Sequence, residues 1–328
     1  MNYEQKNCFP DLMVGKKIMY IHGFGSSAQT ATVARLRQTF PNGEVVAFDV
    51  PVEPHEAIEF LRAKVLEENP DLVIGTSMGG MYAEQLVGFD RILVNPAFQI
   101  ADTMQEHRLT GKQTFFNPRQ DGVQEFYVDK PLVKLYREVS ELCFRSAAED
   151  KGRVWGLFGD KDELVHTREL FLQHYPQAIV FHGEHRISES AFYHAIVPVI
   201  RWIDDKQAGR EREIIYIAYE TMRDAYGKAA SSLRKAFRML IENYQVYLVC
   251  PASSDLESFA EMYAWILDQF DAPAYDHVIF TNRRDLLYGD YLISFGEDKD
   301  FSGTLIEFGS DEMKTWEHVI TFFERLNP

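Results

Sequence analysis

The chain has 328 residues, of which 46% are apolar, 26% charged and 13% aromatic, a balance that supports a sizeable core and excludes disordered, collagen-like and mini-protein compositions. Its 50 acidic and 34 basic side chains leave a net charge of −16, which argues against sequence-independent binding to nucleic acid or to an anionic membrane surface. Cys8, Cys143 and Cys250 lie far apart and form no CxxC pair, so neither a disulfide framework nor a zinc site is encoded.

Strand-like and helix-like stretches alternate from the start. Lys17 to Ile21, Val45 to Phe48, Leu72 to Ile74, Ile92 to Val94, Val154 to Phe158 and Ala178 to Phe181 are short runs, apolar apart from the leading Lys17, as strands covered on both faces require. Helical spacing marks Glu53 to Glu68, Met81 to Val87 and Ser188 to Asp204. This order predicts an α/β fold with a mostly parallel sheet and helices on both faces. The polar, aromatic-rich stretch from Asn95 to Asp150 interrupts the rhythm and reads as a lid with one helix from Leu132 to Ala147.

The charged segment DDKQAGRERE near Asp204 suggests a boundary, giving expected domains of 1–207 and 208–328. A fresh alternation follows: strand Ile214 to Ile217, helix Lys228 to Glu242, strand Val246 to Val249, helix Leu256 to Phe270, strand His277 to Phe280, strands near Tyr291 and Leu305, and a closing helix Asp311 to Leu326. This half is expected to be a second, smaller Rossmann-like α/β domain. No stretch approaches the roughly 20 apolar residues that cross a bilayer, and MNYEQKNCFPDLMVGKK lacks the basic-then-apolar order of a secretory signal. The expectation is a cytoplasmic protein without nucleic-acid or membrane partners.

The sharpest local signal is Gly75-Thr76-Ser77-Met78-Gly79-Gly80, between a predicted strand and a predicted helix. A serine on such a turn exposes its hydroxyl, and glycines two residues to either side let strand and helix approach. A hydroxyl attacks poorly without a base and oxyanion donors, so further parts are required. The loop His22-Gly23-Phe24-Gly25 could present the Phe24 amide, with that of Met78, to a developing oxyanion. His22 precedes the serine and is read as a packing residue of that loop. Asp162, past the strand Val154 to Phe158, is the expected orienting acid, with Asp160 the alternative. In His182-Gly183-Glu184-His185-Arg186, His185 is the expected base, while His182 is assigned to the strand and His194 to the helix.

On Tyr20 to Ser27, Gly75 to Gly80, Val94-Asn95-Pro96-Ala97, Gly159 to Val165 and the His185 loop before a Pro198-containing helix, residues from about 17 to 205 resemble the small α/β-hydrolase esterases of the YqiA type. The resemblance implies hydrolysis of short-chain esters through Ser77, Asp162 and His185, without a metal or cofactor. Glu184 and Arg186 depart from the family's usual histidine loop, which reads more like Gly-Asn-His-Ala.

Residues from about 213 to 328 resemble the deoxyribonucleotidase-like branch of the haloacid dehalogenase superfamily. The resemblance rests on Ile215 to Ile217, Val246 to Ser253, Thr281-Asn282-Arg283-Arg284-Asp285-Leu286, Gly289-Asp290-Tyr291-Leu292-Ile293 and Gly303 to Trp316. That family implies an aspartate nucleophile, a second aspartate two residues on, and downstream acids sharing a magnesium ion. Here Ala218 stands at the first position, Glu220 at the second, and Ser294 and Phe295 where an acidic pair belongs. Asp290, Glu297 and Asp298 are poor substitutes as isolated loop acids, since magnesium demands near-octahedral oxygen ligation. Arg284 is either an anion-holding residue of a vestigial pocket or a plain surface arginine. The expected function is therefore a serine esterase or thioesterase acting on a small-molecule ester, with a catalytically silent second domain that could mediate homo-oligomerisation. The alternatives are a non-catalytic binding or scaffold protein built from two hydrolase-type folds and, last, a nucleotide phosphatase.

Overall fold

The computed structural model describes residues 7–296 and 298–326; Glu297, weighed above as a metal ligand, and the first six residues of the N-terminal segment lie outside them. The described chain divides into two compact units, residues up to Asp204 and Asp205 onward. The division falls inside the helix Val197–Ala208, at the start of the charged segment and three residues before the expected boundary at 207.

The first unit holds a six-stranded sheet of β1 (Lys17–Ile21), β2 (Glu44–Ala47), β3 (Leu72–Thr76), β4 (Asp90–Val94), β7 (Val154–Gly159) and β8 (Ala178–Phe181), in the order β2-β1-β3-β4-β7-β8. All five pairings are parallel. Register aligns the carboxyl ends: Ile21 lies against Gly75, Thr76 against Val94, Val94 against Leu157, and Gly159 against Phe181. The loops carrying Phe24, Ser77, Asn95, Asp162 and His185 thus leave the sheet at one edge, where open α/β sheets place ligands.

Local chemistry sets the helix ends. The helix Pro54–Glu68 starts at Pro54 with the Glu53 carboxylate accepting from the Glu56 amide at 2.6 Å, and stops at Asn69 in the left-handed region. Near residue 192 the winding loosens to π pitch over Phe192–Ile196, just ahead of Pro198, whose missing N–H removes one bond from the helical ladder.

The excursion after β4 contains more than one helix. It comprises a helix Ile100–Glu106, an antiparallel hairpin of β5 (Gly111–Thr114) and β6 (Glu125–Val128), and helices Lys130–Ser140 and Ala147–Asp150. The expected continuous helix to Ala147 breaks because Phe144 takes φ 68°, outside any helix.

The second unit holds β9 (Ile214–Ala218), β10 (Gln245–Cys250), β11 (Val278–Phe280), β12 (Tyr291–Ser294) and β13 (Thr304–Glu307), all parallel, in the order β11-β10-β9-β12-β13. Its core joins Ile215, Ile217 and Leu248 to Phe237, Ile266, Trp316 and Phe323 from the covering helices. Two helices begin later than expected. Leu233–Asn243 follows Ser232 at φ 62°, and Trp316–Leu326 follows a bend in which the Gly309 amide donates to the Met313 carbonyl. Among the described residues no helix is long and apolar enough to cross a membrane.

Candidate active site

Ser77 sits between β3 and the helix Met78–Glu84 with φ 54° and ψ −121°, a conformation that costs a non-glycine residue energy and so must be held by its surroundings. Backbone bonds on both sides hold it. Its amide donates to Val94 O at 2.9 Å, while its carbonyl accepts from Gly80 N at 2.9 Å and Ala97 N at 3.0 Å. The flanking glycines are sterically enforced: a Cβ on Gly75 would lie 2.3 Å from Gly79 O, and one on Gly79 2.2 Å from Ile21 O.

Asp162 and His185 reach this serine from the ends of β7 and β8. The Ser77 Oγ lies 3.0 Å from His185 Nε2, and His185 Nδ1 lies 2.8 Å from Asp162 Oδ2. Since the carboxylate accepts only, the ring proton belongs on Nδ1, which leaves Nε2 free to accept from the hydroxyl. The second Asp162 oxygen accepts from the amides of Leu164 at 2.8 Å and Val165 at 3.0 Å. Burial by itself would raise the Asp162 carboxyl; the bond and charge of His185 and the two amides outweigh it and hold the group below the usual carboxylate range.

Asp160, the alternative acid, is engaged elsewhere: its carboxylate lies 2.8 Å from His182 Nδ1 and accepts from Gly183 N at 2.9 Å, in an exposed pair. Burial works against ionisation there too, and His182 overcomes it. His182 lies just past β8, whose last residue is Phe181, rather than within the strand. His194 falls in the π-wound segment, 3.1 Å from Ser190 Oγ. His22 is tied into its loop, with Nδ1 2.9 Å from Gly23 O and Nε2 accepting from Val50 N at 3.1 Å, and burial lowers its pKa. Both ring nitrogens are thereby occupied.

Met78 is the first residue of its helix, so its amide has no acceptor within that helix, and Phe24 lies in the turn after β1. Among the described residues neither amide donates to a backbone carbonyl. The hairpin packs over this turn. The Phe116 amide donates to Gly25 O at 2.7 Å, Asn117 Nδ2 to Ser26 Oγ at 3.0 Å, and the Phe24 ring meets Phe126 edge-on at 5.2 Å. Arg186 pairs with neither neighbour in sequence but lies over the Phe116 ring, 5.2 Å from its centroid.

Asn95, to which the sequence assigns no role of its own, ties the two loops together. Buried and at φ 45°, it accepts from Gly159 N at 2.8 Å and donates from Nδ2 to the carbonyls of Glu184 and His185, each at 3.1 Å. An asparagine between a strand and a proline, where the left-handed region is tolerated, is the available sequence signal.

In the second unit Ala218 ends β9, fully buried, and the pairing of Ile293 with Ile217 sets Ser294, also fully buried, beside it. Cys250 ends β10 nearby, and burial pushes its thiol up to about 12. Arg284 is not a plain surface residue. It is mostly covered and grips Glu220 bidentately, Nη1 to Oε1 at 2.6 Å and Nη2 to Oε2 at 2.7 Å, with Asp298 Oδ2 3.1 Å from Nη1. These three residues line a cavity of about 440 Å³ with Pro251, Thr281, Asn282 and Phe295.

A "Putative 5'(3')-deoxyribonucleotidase" of Staphylococcus aureus strain Mu50 is 26% identical to the chain over 107 residues, 29% of this chain and 59% of that protein. A protein of the same name from Vibrio phage KVP40 is 27% identical over 107 residues, 31% of this chain and 63% of its own. The chain thus spans about three-fifths of the length of these curated relatives. Among solved structures, a monoacylglycerol lipase of Paleococcus ferrophilus is matched over 58% of this chain and 94% of its own at 16% identity and a TM-score of 0.40. Est1E from Butyrivibrio proteoclasticus is matched over 63% and 89% at 14% identity and a TM-score of 0.40. Residues 17–201 match the sequence model of an uncharacterised protein family, and the chain accordingly belongs to UPF0227.

Proposed function

We propose that the first unit is a serine hydrolase that cleaves a small carboxylic ester or thioester through an acyl-enzyme. The observation that carries this reading is the unbroken run of hydrogen bonds from Ser77 Oγ through the His185 ring to Asp162. His185 Nε2 takes the hydroxyl proton as Oγ attacks the carbonyl, and the amides of Phe24 and Met78 receive the oxyanion. Collapse expels the alcohol or thiol, which leaves with the proton from Nε2; water then repeats the sequence and frees the acid. Asp162 holds the tautomer and stabilises the imidazolium. Aromatic side chains of the hairpin beside Phe24 suit an apolar acyl group.

The second unit is proposed to be catalytically silent, because its nucleophile position is Ala218. The nucleotidase name of the curated relatives belongs to those proteins. The test is a fluorophosphonate probe on the full chain, with the modified peptide identified by mass spectrometry. Labelling at Ser77 that disappears in Ser77→Ala is expected; an unlabelled, folded protein that turns over no p-nitrophenyl acetate or butyrate would leave the scaffold reading in its place.

A further inference from the structure

The divalent metal that the haloacid dehalogenase resemblance implies for the second unit does not fit the residues present. Ala218 offers no side-chain oxygen, Ser294 is neutral, and among the described residues no three His, Cys, Asp or Glu side chains are grouped as a metal would require. The arginine of that cavity is committed as well, to Glu220 and Asp298. The rim of the first unit is different. Arg119 lies there over the Phe115 ring, but its nitrogens are spent on Asp121 and on the Val50 carbonyl. Arg186 is exposed, and among the described residues it has the Phe116 ring beneath it and neither a carboxylate nor a carbonyl partner.

We propose that Arg186 selects the substrate: its guanidinium holds a carboxylate or phosphate carried by the leaving alcohol or thiol. On the serine-hydrolase reading, which this assignment rests on and deepens, His185 Nε2 hands its proton to the departing oxygen or sulfur. The leaving group must then lie against the histidine loop, and Arg186 is the next residue of that loop. The facing side is fixed by Phe116. A Cβ on Gly25 would lie 3.1 Å from the Phe116 ring, so the ring rests on the turn that carries the Phe24 amide, and the Phe116 amide donates to Gly25 O at 2.7 Å. A guanidinium 5.2 Å from the centroid of that ring therefore stands between the oxyanion turn and the base loop. The ring contact positions it while leaving its N–H fork unspent, and that fork matches a carboxylate or phosphate bidentately. Asp160 and Asp162 do not compete for it: the first is held by His182 and the Gly183 amide, the second by His185 and two amides. The net charge of −16 repels anions at long range, so an anionic substrate needs a cation at the point of contact.

The test compares 3- and 4-carboxyphenyl butyrate with their carboxamide isosteres, and 4-phosphonooxyphenyl butyrate with both, each rate normalised to the hydroxide-catalysed hydrolysis of the same ester. Full-length wild type should favour a carboxylate or the phosphate over the carboxamides by about tenfold or more in kcat/KM, and the favoured one names the anion. Arg186→Met should bring that ratio to about one, and Arg186→Lys, which keeps the charge without the fork, should retain part of it. An arginine that merely latched the hairpin would, when replaced, slow charged and neutral esters alike and leave the ratio intact, which overturns the proposal. A wild type without preference for either anion overturns it too. If wild type cleaves none of these esters and a fluorophosphonate leaves Ser77 unmodified, the hydrolase reading fails and takes this assignment with it; cleavage without discrimination removes this assignment alone.

Discussion

The two units each bring a carboxylate and a nitrogen base together at the carboxyl ends of a parallel sheet, and the difference lies in which base. In the first, Asp162 grips one nitrogen of an imidazole whose other nitrogen faces Ser77. In the second, Glu220 and Asp298 grip a guanidinium that uses both terminal nitrogens on them. An imidazole can take and return a proton near neutral pH; a guanidinium cannot. A similar location in a similar architecture therefore holds a hydrogen-bonded serine, histidine and aspartate in one unit and an ion pair in the other, and site residues rather than fold decide between them.

The comparison breaks most visibly at the hydroxyl. Ser77→Ala should cut ester turnover about 10⁴-fold or more in a p-nitrophenyl butyrate assay, while leaving the unfolding temperature of the second unit unchanged. Asp162→Asn keeps the shape but can donate to the imidazole, reversing its tautomer, and kcat should fall about 10³- to 10⁴-fold. The two sites would be less different than described if either variant retained wild-type kcat.

Stability distinguishes them next. Gly79→Ala drives a Cβ to 2.2 Å from a carbonyl oxygen of β1 and should destabilise the first unit by about 4 kcal/mol or more in urea unfolding. Asn95→Ala removes the tie between the acid and histidine loops. Its expected signature is a fall in kcat of about tenfold to a hundredfold with little change in KM, since the acyl-binding surface is untouched. A rise in KM alone would assign Asn95 to substrate contact instead.

The smallest effect is in pH dependence. Asp162 is held below the usual carboxylate range in the folded chain, so its bonds contribute stability present above the unfolded-chain value of about 4 and lost as pH falls through the lower folded value. The unfolding free-energy gap between wild type and Asp162→Asn should be widest above about pH 5 and narrow progressively below it.

Much of this organisation is legible in the sequence where one local pattern suffices. Ile18 to Ile21 and Ala178 to Phe181 read as strands because they are short apolar runs, buried in the fold except at Val180, and the Ser77 turn is marked by glycines that sterics make obligatory. Asp162 and His185 are singled out by chain order alone, and their side chains meet at 2.8 Å. The hairpin is not legible: Gly111–Thr114 is polar and half-exposed, and tertiary contacts with the 23–26 turn stand in for the apolar alternation that marks a strand. Nor is the tie through Asn95, which depends on carbonyls 89 and 90 residues away. The partner of Arg284 escapes for the same reason, since nothing local distinguishes it from Arg283.

Phe116 hangs between two moving parts of the proposed chemistry, bonded through its amide to the turn that presents the Phe24 amide and stacked under the arginine that follows His185. A bulky acyl chain that pushes the hairpin outward would drag the donor turn and the base loop with it. Selectivity for chain length should then be felt in rate as much as in affinity: oversized substrates would still dock but would turn over slowly, and grafting a longer hairpin would detune the chemistry before it widened the substrate range.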